Sequence, residues 1–127
     1  MSFAQINFRL NFLEEAEHGY RRTLELGNYE LDTWLCRADI LIQLGEYDSA
    51  IVALHQAAEF YEESSEIEYR LAGLYYKLVQ TNKGRYHLDN AYKFDPEYDF
   101  ILTELFPELL KRNSVKEIMY RYKNSSW

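Results

Sequence analysis

Three histidines, His18, His55 and His87, a single cysteine, Cys36, and the acidic run Glu62, Glu63, Glu66 and Glu68 are the residues whose types invite chemistry. Histidines ligate metal or move protons when several converge on one point. These three lie on the outer side of successive helices, one per structural unit, too far apart to share an ion, and read as isolated surface residues. The glutamates lack the Asp, Asn and Gly spacing of a calcium loop and read as a solvated connection. Cys36 sits on a helix flank with no histidine near it in sequence, which makes it a packing residue. One cysteine also excludes an internal disulfide and a cysteine-based zinc cluster. No glycine-rich phosphate loop, nucleophile motif or metal-binding helix pair occurs. The expectation is a non-catalytic chain with no cofactor and no metal.

The elements that would position these side chains are helices. Leu31 to Ser64 reads as two amphipathic helices joined at Gly45-Glu46-Tyr47. Trp34, Ala38, Leu41 and Leu44 recur at spacings of three and four, and Ala50, Ile51, Leu54, Ala57 and Ala58 do the same. Gly45 stands where a helix ends in a residue tolerant of positive φ. So small a helix pair cannot bury its own apolar faces and needs neighbours. Sliding the chain along itself by thirty-four residues supplies them. Small residues align as Ala4, Ala38 and Ala72, as Ala16, Ala50 and Gly84, and as Thr23, Ala57 and Ala91. Large ones align as Phe3 with Leu71, Leu41 with Tyr75, Leu13 with Tyr47, and Tyr20 with Leu54 and Leu88. Small residues let helix backbones approach, and large ones fill the gaps. A thirty-four-residue period of alternating helices predicts a helical repeat array.

At these positions the chain resembles the tetratricopeptide repeat family. Trp34, Ala38, Leu41, Gly45, Tyr47, Ala50, Leu54 and Ala57 follow the family's loose pattern, as do Leu71, Ala72, Tyr75, Gly84, Leu88, Ala91 and Pro96. Arg37 stands where an apolar residue is usual, Glu62 replaces the closing proline, and Val79 replaces the inter-helix glycine, which predicts a tighter or displaced turn. The resemblance covers about residues 3 to 98. It implies an all-α fold, a right-handed superhelix of antiparallel helix pairs, with a C-terminal capping segment. The divisions are a partial first repeat at 1–30, repeats at 31–64 and 65–98, and capping helices at 99–123, all in one domain.

In that family the first helices line a concave groove that takes peptides or helices. Aligned onto this sequence, the groove holds Phe8, Arg9, Leu35, Asp39, Ile42 and Gln43, then Tyr69, Tyr76 and Lys77, with Asp32, Glu66 and Gly73 beside them. Aromatic and aliphatic residues ringed by charge suit an apolar segment with polar register contacts. Chaperone-binding members grip a terminal carboxylate with Lys and Asn. Leu35, Asp39, Tyr69 and Gly73 stand at the corresponding places here, so no carboxylate clamp is expected. The resemblance therefore implies a protein-binding module with a protein or peptide partner. The alternative is a structural end-cap or self-association region of a longer scaffold, with a neighbouring or C-terminal helix covering the groove.

Taken in order, the first helix is short (Phe3, Ile6, Leu10). This leads to the expectation that the chain is a C-terminal piece of a longer repeat protein, able to form a homodimer through an apolar N-terminal edge. Helices are predicted at Leu13–Leu26, Asp32–Leu44, Glu66–Leu78, Lys83–Phe94 and Tyr98–Phe106, the last stopped by Pro107. Capping boxes are predicted at Ser65–Glu68 and Ser114–Glu117, a helix start at Asp95-Pro96, and a frayed tail from Asn124. The 127 residues carry a net charge of −7, which excludes general nucleic-acid binding. Charge is lopsided: residues 1–68 hold four Lys/Arg against fourteen Asp/Glu, and residues 69–127 hold ten against seven. No apolar run is long enough for a membrane helix, and no secretion signal is visible. Cytoplasmic residence without a membrane partner is the expectation.

Overall fold

The computed structural model describes residues 13–19, 22 and 30–125, and the described residues are all-helical, without strands. Residues 13–19 form part of α1. Next come α2 (Leu31–Gln43), α3 (Tyr47–Phe60), α4 (Ser65–Lys77) and α5 (Thr81–Phe94). A 3-10 turn at Pro96–Asp99 leads into α6 (Phe100–Leu105), a second at Pro107–Lys111 follows, and α7 (Asn113–Ser125) closes the chain. Leu31 and Ser65, Gln43 and Lys77, Tyr47 and Thr81, and Phe60 and Phe94 are each thirty-four residues apart. The sequence period is thus a period of structure: α4 and α5 repeat α2 and α3 end for end.

The chain divides into two compact units, residues 1–60 and 61–127. In the first, α2 packs on α3. Ala38, Leu41, Ala50, Leu54 and Ala57 are fully buried, as the aligned columns require. Arg37 departs from the expected apolar type for a physical reason: its Nε donates to Glu17 Oε1 at 3.2 Å, a largely buried pair bridging α2 and α1. Cys36 is exposed, which corrects its reading as a packing residue.

In the second unit α4 is central. It packs on α5 along one side and on α6 along another, while α7 packs on α5 and on the second 3-10 turn. Residues 69 to 76 of α4 are therefore buried without interruption, Arg70 included, whose Nη1 donates to Glu66 O at 3.0 Å. Small residues again mark close approach. A Cβ on Gly84 would lie 2.8 Å from Tyr76 Cδ2, and one on Gly73 would lie 2.2 Å from Phe106 Cδ2.

The helix ends correct several local expectations. Val79 does not displace the α4–α5 turn. Gly45 and Val79 both adopt left-handed φ, +79° and +61°. Glu46 N bonds Leu41 O and Gly45 N bonds Ile42 O; thirty-four residues on, Gln80 N bonds Tyr75 O and Val79 N bonds Tyr76 O. This double bond pattern is the Schellman motif, built once with glycine and once with valine. α5 accordingly begins at Thr81, two residues before the expected start. The α4 cap is Ser64, whose Oγ accepts from Ile67 N at 3.3 Å, not Ser65. Asp95 Oδ1 accepts from Glu97 N at 3.0 Å, but the turn it opens is 3-10, and the α-helix starts only at Phe100. The first α7 bond runs from Lys116 N to Arg112 O, so Ser114 lies inside the helix rather than capping it. α7 continues to Ser125, past the expected tail. The expected end of the Leu13 helix, Phe3 to Leu10, and the N-terminal edge lie outside the described residues.

Candidate functional site

Phe8 and Arg9 lie outside the described residues, so the groove positions that can be placed are those of α2 and α4. On α2, Leu35 and Ile42 are buried, Asp39 is half-buried and Gln43 is exposed. On α4 the corresponding side chains are occupied by the chain itself. Tyr69 and Tyr76 are 0% and 1% exposed. The Tyr69 hydroxyl donates to Asp95 O at 2.9 Å, and its ring meets the Tyr92 ring edge-on at 5.3 Å. The Phe106 ring fills the notch left by Gly73. The Tyr76 hydroxyl pairs with Ser114 Oγ at 3.4 Å, and the Arg112 guanidinium stands 5.6 Å from the Tyr76 ring centre. At the rim, Lys77 Nζ donates to Glu108 Oε1 at 2.8 Å. From one end of α4 to the other, the C-terminal segment covers this face.

That cover is pinned by a second network on the α5 side. Tyr92 stacks on Tyr122 at 5.5 Å with rings 8° apart, and its hydroxyl donates to Asp99 Oδ2 at 3.2 Å. Lys123 Nζ reaches the same Asp99 oxygen at 2.7 Å. The Tyr122 hydroxyl donates to Asp89 Oδ1, and Lys93 lies 3.2 Å from Asp89 Oδ2. The hydrogen bond from Tyr122, with Lys93 adding to it, holds the Asp89 carboxyl below the usual carboxylate range. Lys77 does the same for Glu108. Burial pushes Tyr69 and Tyr92 far up, with the charge of Asp99 adding to it. Burial and the bond to Asp89 raise Tyr122 to about 12.

The residues first considered for chemistry stay dispersed. His18 and His55 are exposed. His87 is not an isolated surface residue: its Nδ1 lies 2.5 Å from Glu68 Oε2, its ring stacks on Tyr75 at 5.3 Å, and Tyr86 meets it edge-on. Among the described residues no three His, Cys, Asp or Glu side chains come together to hold a metal. No helix among them is long and apolar enough to cross a membrane.

A repeated helix pair with a small-residue seam and a Schellman turn at the same register is the unit of a helical repeat array. Residues 31–74 match the family model described as tetratricopeptide repeat. This segment belongs to the tetratricopeptide repeat family. Neither a curated protein nor a solved structure matches the chain significantly. Tetratricopeptide repeats in general are non-catalytic scaffolds that bind proteins, and the repeat here spans α2, α3 and most of α4.

The sequence allowed a C-terminal helix over the groove, but the contacts that cover α4 could not be read from it, for a definite reason. Tyr69 to Asp95, Gly73 to Phe106 and Tyr76 to Ser114 join residues 26 or more apart through irregular segments. A thirty-four-residue comparison does not register such pairs. The one available signal was the density of apolar residues in the capping segment, Ile101, Leu102, Phe106 and Leu109, all buried.

Proposed function

We propose that the chain is a non-catalytic, cytoplasmic protein-binding module whose partner, a peptide or a helix, lies along the first-helix face carrying Phe8, Arg9, Leu35, Asp39, Ile42 and Gln43. The observation that carries this reading is the way the same face of α4 receives the chain's own C-terminal segment. There an aromatic ring sits over a small residue and a carboxylate pairs with a rim lysine, Phe106 on Gly73 and Glu108 on Lys77. By register, Asp39 stands at the place of Gly73 and Gln43 at the place of Lys77. A partner for the α2 face is expected to combine an apolar anchor with a polar contact at the rim, where Gln43 replaces Lys77.

Selection of peptides from a random displayed library tests this. The expected winners are peptides with an apolar anchor whose binding is lost in Asp39→Lys and Gln43→Lys and kept in Tyr120→Ala, a change at an exposed α7 position. Failure to enrich peptides, or binding indifferent to both lysine changes, overturns the reading.

The covering of Tyr69, Tyr76 and Lys77 favours a second reading for the C-terminal half. Residues 99–123 act there as the end-cap of a repeat scaffold, and those three side chains serve the cap rather than a partner. Self-association through the N-terminal edge belongs with this reading, and a mass that rises with concentration is its sign.

A further inference from the structure

The seam between α5 and α7 is an open groove of about 340 Å³ lined by Asn82, Arg85, Tyr86, Asp89, Ile118 and Arg121. Its α5 members are spaced by three and four residues, so they share one stripe of the helix, and Ile118 and Arg121 do the same on α7. Ile118 is buried, while Tyr86 is 64% exposed. Asp89 is already engaged: one oxygen accepts from Tyr122 and the other faces Lys93. Arg121 Nη1 is ion-paired with Asp89 Oδ1 at 3.9 Å, too long for a hydrogen bond, so the pairing leaves its N–H donors unused. Arg85 is exposed and makes no ion pair among the described residues. Two guanidinium groups with spare donors thus line one groove beside an exposed aromatic ring and an apolar floor.

We propose that this groove docks an acidic peptide segment of a partner protein, one Asp or Glu carboxylate held by Arg85 and Arg121 and an apolar neighbour resting on Tyr86 and Ile118. The planar guanidinium fork matches a carboxylate in two parallel hydrogen bonds. Asp89 in the same groove disfavours a doubly charged phosphate more than a singly charged carboxylate. The whole chain carries −7 and repels polyanions at a distance, so capture of an acidic peptide reports a local site. This surface uses α5 and α7, and the inference stands apart from the reading of the α2 face.

Fluorescence anisotropy with labelled hexaglutamate tests it. Saturable binding is expected, weakened about tenfold by each of Arg85→Ala and Arg121→Ala, only partly restored by Arg85→Lys, and unchanged by Lys111→Ala, outside the groove. Amide NMR shifts on the native chain are expected to cluster at residues 82–89 and 118–121, and they decide the matter even where a variant fails to fold. Absence of saturable binding, equal binding of hexalysine, or equal weakening by Lys111→Ala overturns the proposal. So does displacement by inorganic phosphate at the concentration where free glutamate has no effect, which would mark a phosphate site. Peptide-independent dimerisation that both arginine variants abolish would assign the groove to a second copy of the chain and overturn it equally.

Discussion

Replacing Val79 with glycine is expected to stabilise the protein, against the usual effect of removing a side chain. Val79 sits at φ +61°, in the position that Gly45 holds one repeat earlier at φ +79°. An L-residue in that region costs about 1–2 kcal/mol, the β-branched types most. Val79 is 77% exposed, so its loss removes little apolar burial. Glycine's greater freedom in the unfolded chain offsets about 0.5–1 kcal/mol. The difference leaves Val79→Gly more stable by about 1 kcal/mol, or about 3–6 °C in melting temperature for a chain of this size. Gly45→Val gives the reverse test, because a Cβ there meets nothing within 4 Å and only the backbone term changes. It is expected to destabilise by about 1 kcal/mol. Urea titrations followed by circular dichroism measure both. A Val79→Gly variant less stable than the native chain, or a Gly45→Val variant equal to it, would refute a shared left-handed turn.

Other perturbations probe the covered face of α4. Gly73→Ala places a Cβ 2.2 Å from a fully buried ring and is expected to destabilise by about 2–4 kcal/mol; adding Phe106→Leu recovers part of that loss in the same urea titration. Tyr69→Ala with Tyr76→Ala removes two fully buried rings, each costing about 3–5 kcal/mol, so thermal melts are expected to lose their cooperative transition. Tyr69, Tyr92 and Tyr122 titrate higher in the folded than in the unfolded chain. Their stabilisation is complete below pH about 10 and falls as pH rises beyond it, by up to about 1.4 kcal/mol per pH unit for each. Tyrosinate absorbance rising together with loss of helicity confirms this, and full ionisation in a folded chain contradicts it. Asp89 and Glu108 titrate low in the folded chain. Their contribution holds above pH about 4 and is lost as pH falls below it, and Asp89→Asn is expected to flatten the acid limb of the stability profile.

The repeat was legible because its causes are local and periodic. Ala38 with Ala72, Ala50 with Gly84, and Ala57 with Ala91 announce close helix packing by residue type alone, and all six are buried. The turn at Val79 was not legible. Nothing in valine signals positive φ, and the conformation is imposed by the Schellman bonds of the helix end it closes. Ser64 displaced Ser65 as the cap because two adjacent serines offer the same chemistry, and one residue of register decides between them. Arg37 looked like a departure from the pattern until Glu17 supplied the charge it meets. For the candidate groove, the sequence grouped residues on one helix face and allowed a C-terminal helix over them, but it did not show which residues make that contact. Phe106 reaches Gly73 across thirty-three residues, and Pro107 and the 3-10 turns that steer it carry no helical period.

The cover over α4 is tested most directly by nuclear Overhauser contacts between the Gly73 Hα protons and the Phe106 ring in the free protein. Strong contacts, with the Gly73 protons shifted by the ring current, are predicted. Their absence, with Gly73 resonances moving on addition of apolar peptide, would mean that this face is open and that the C-terminal segment does not close the repeat.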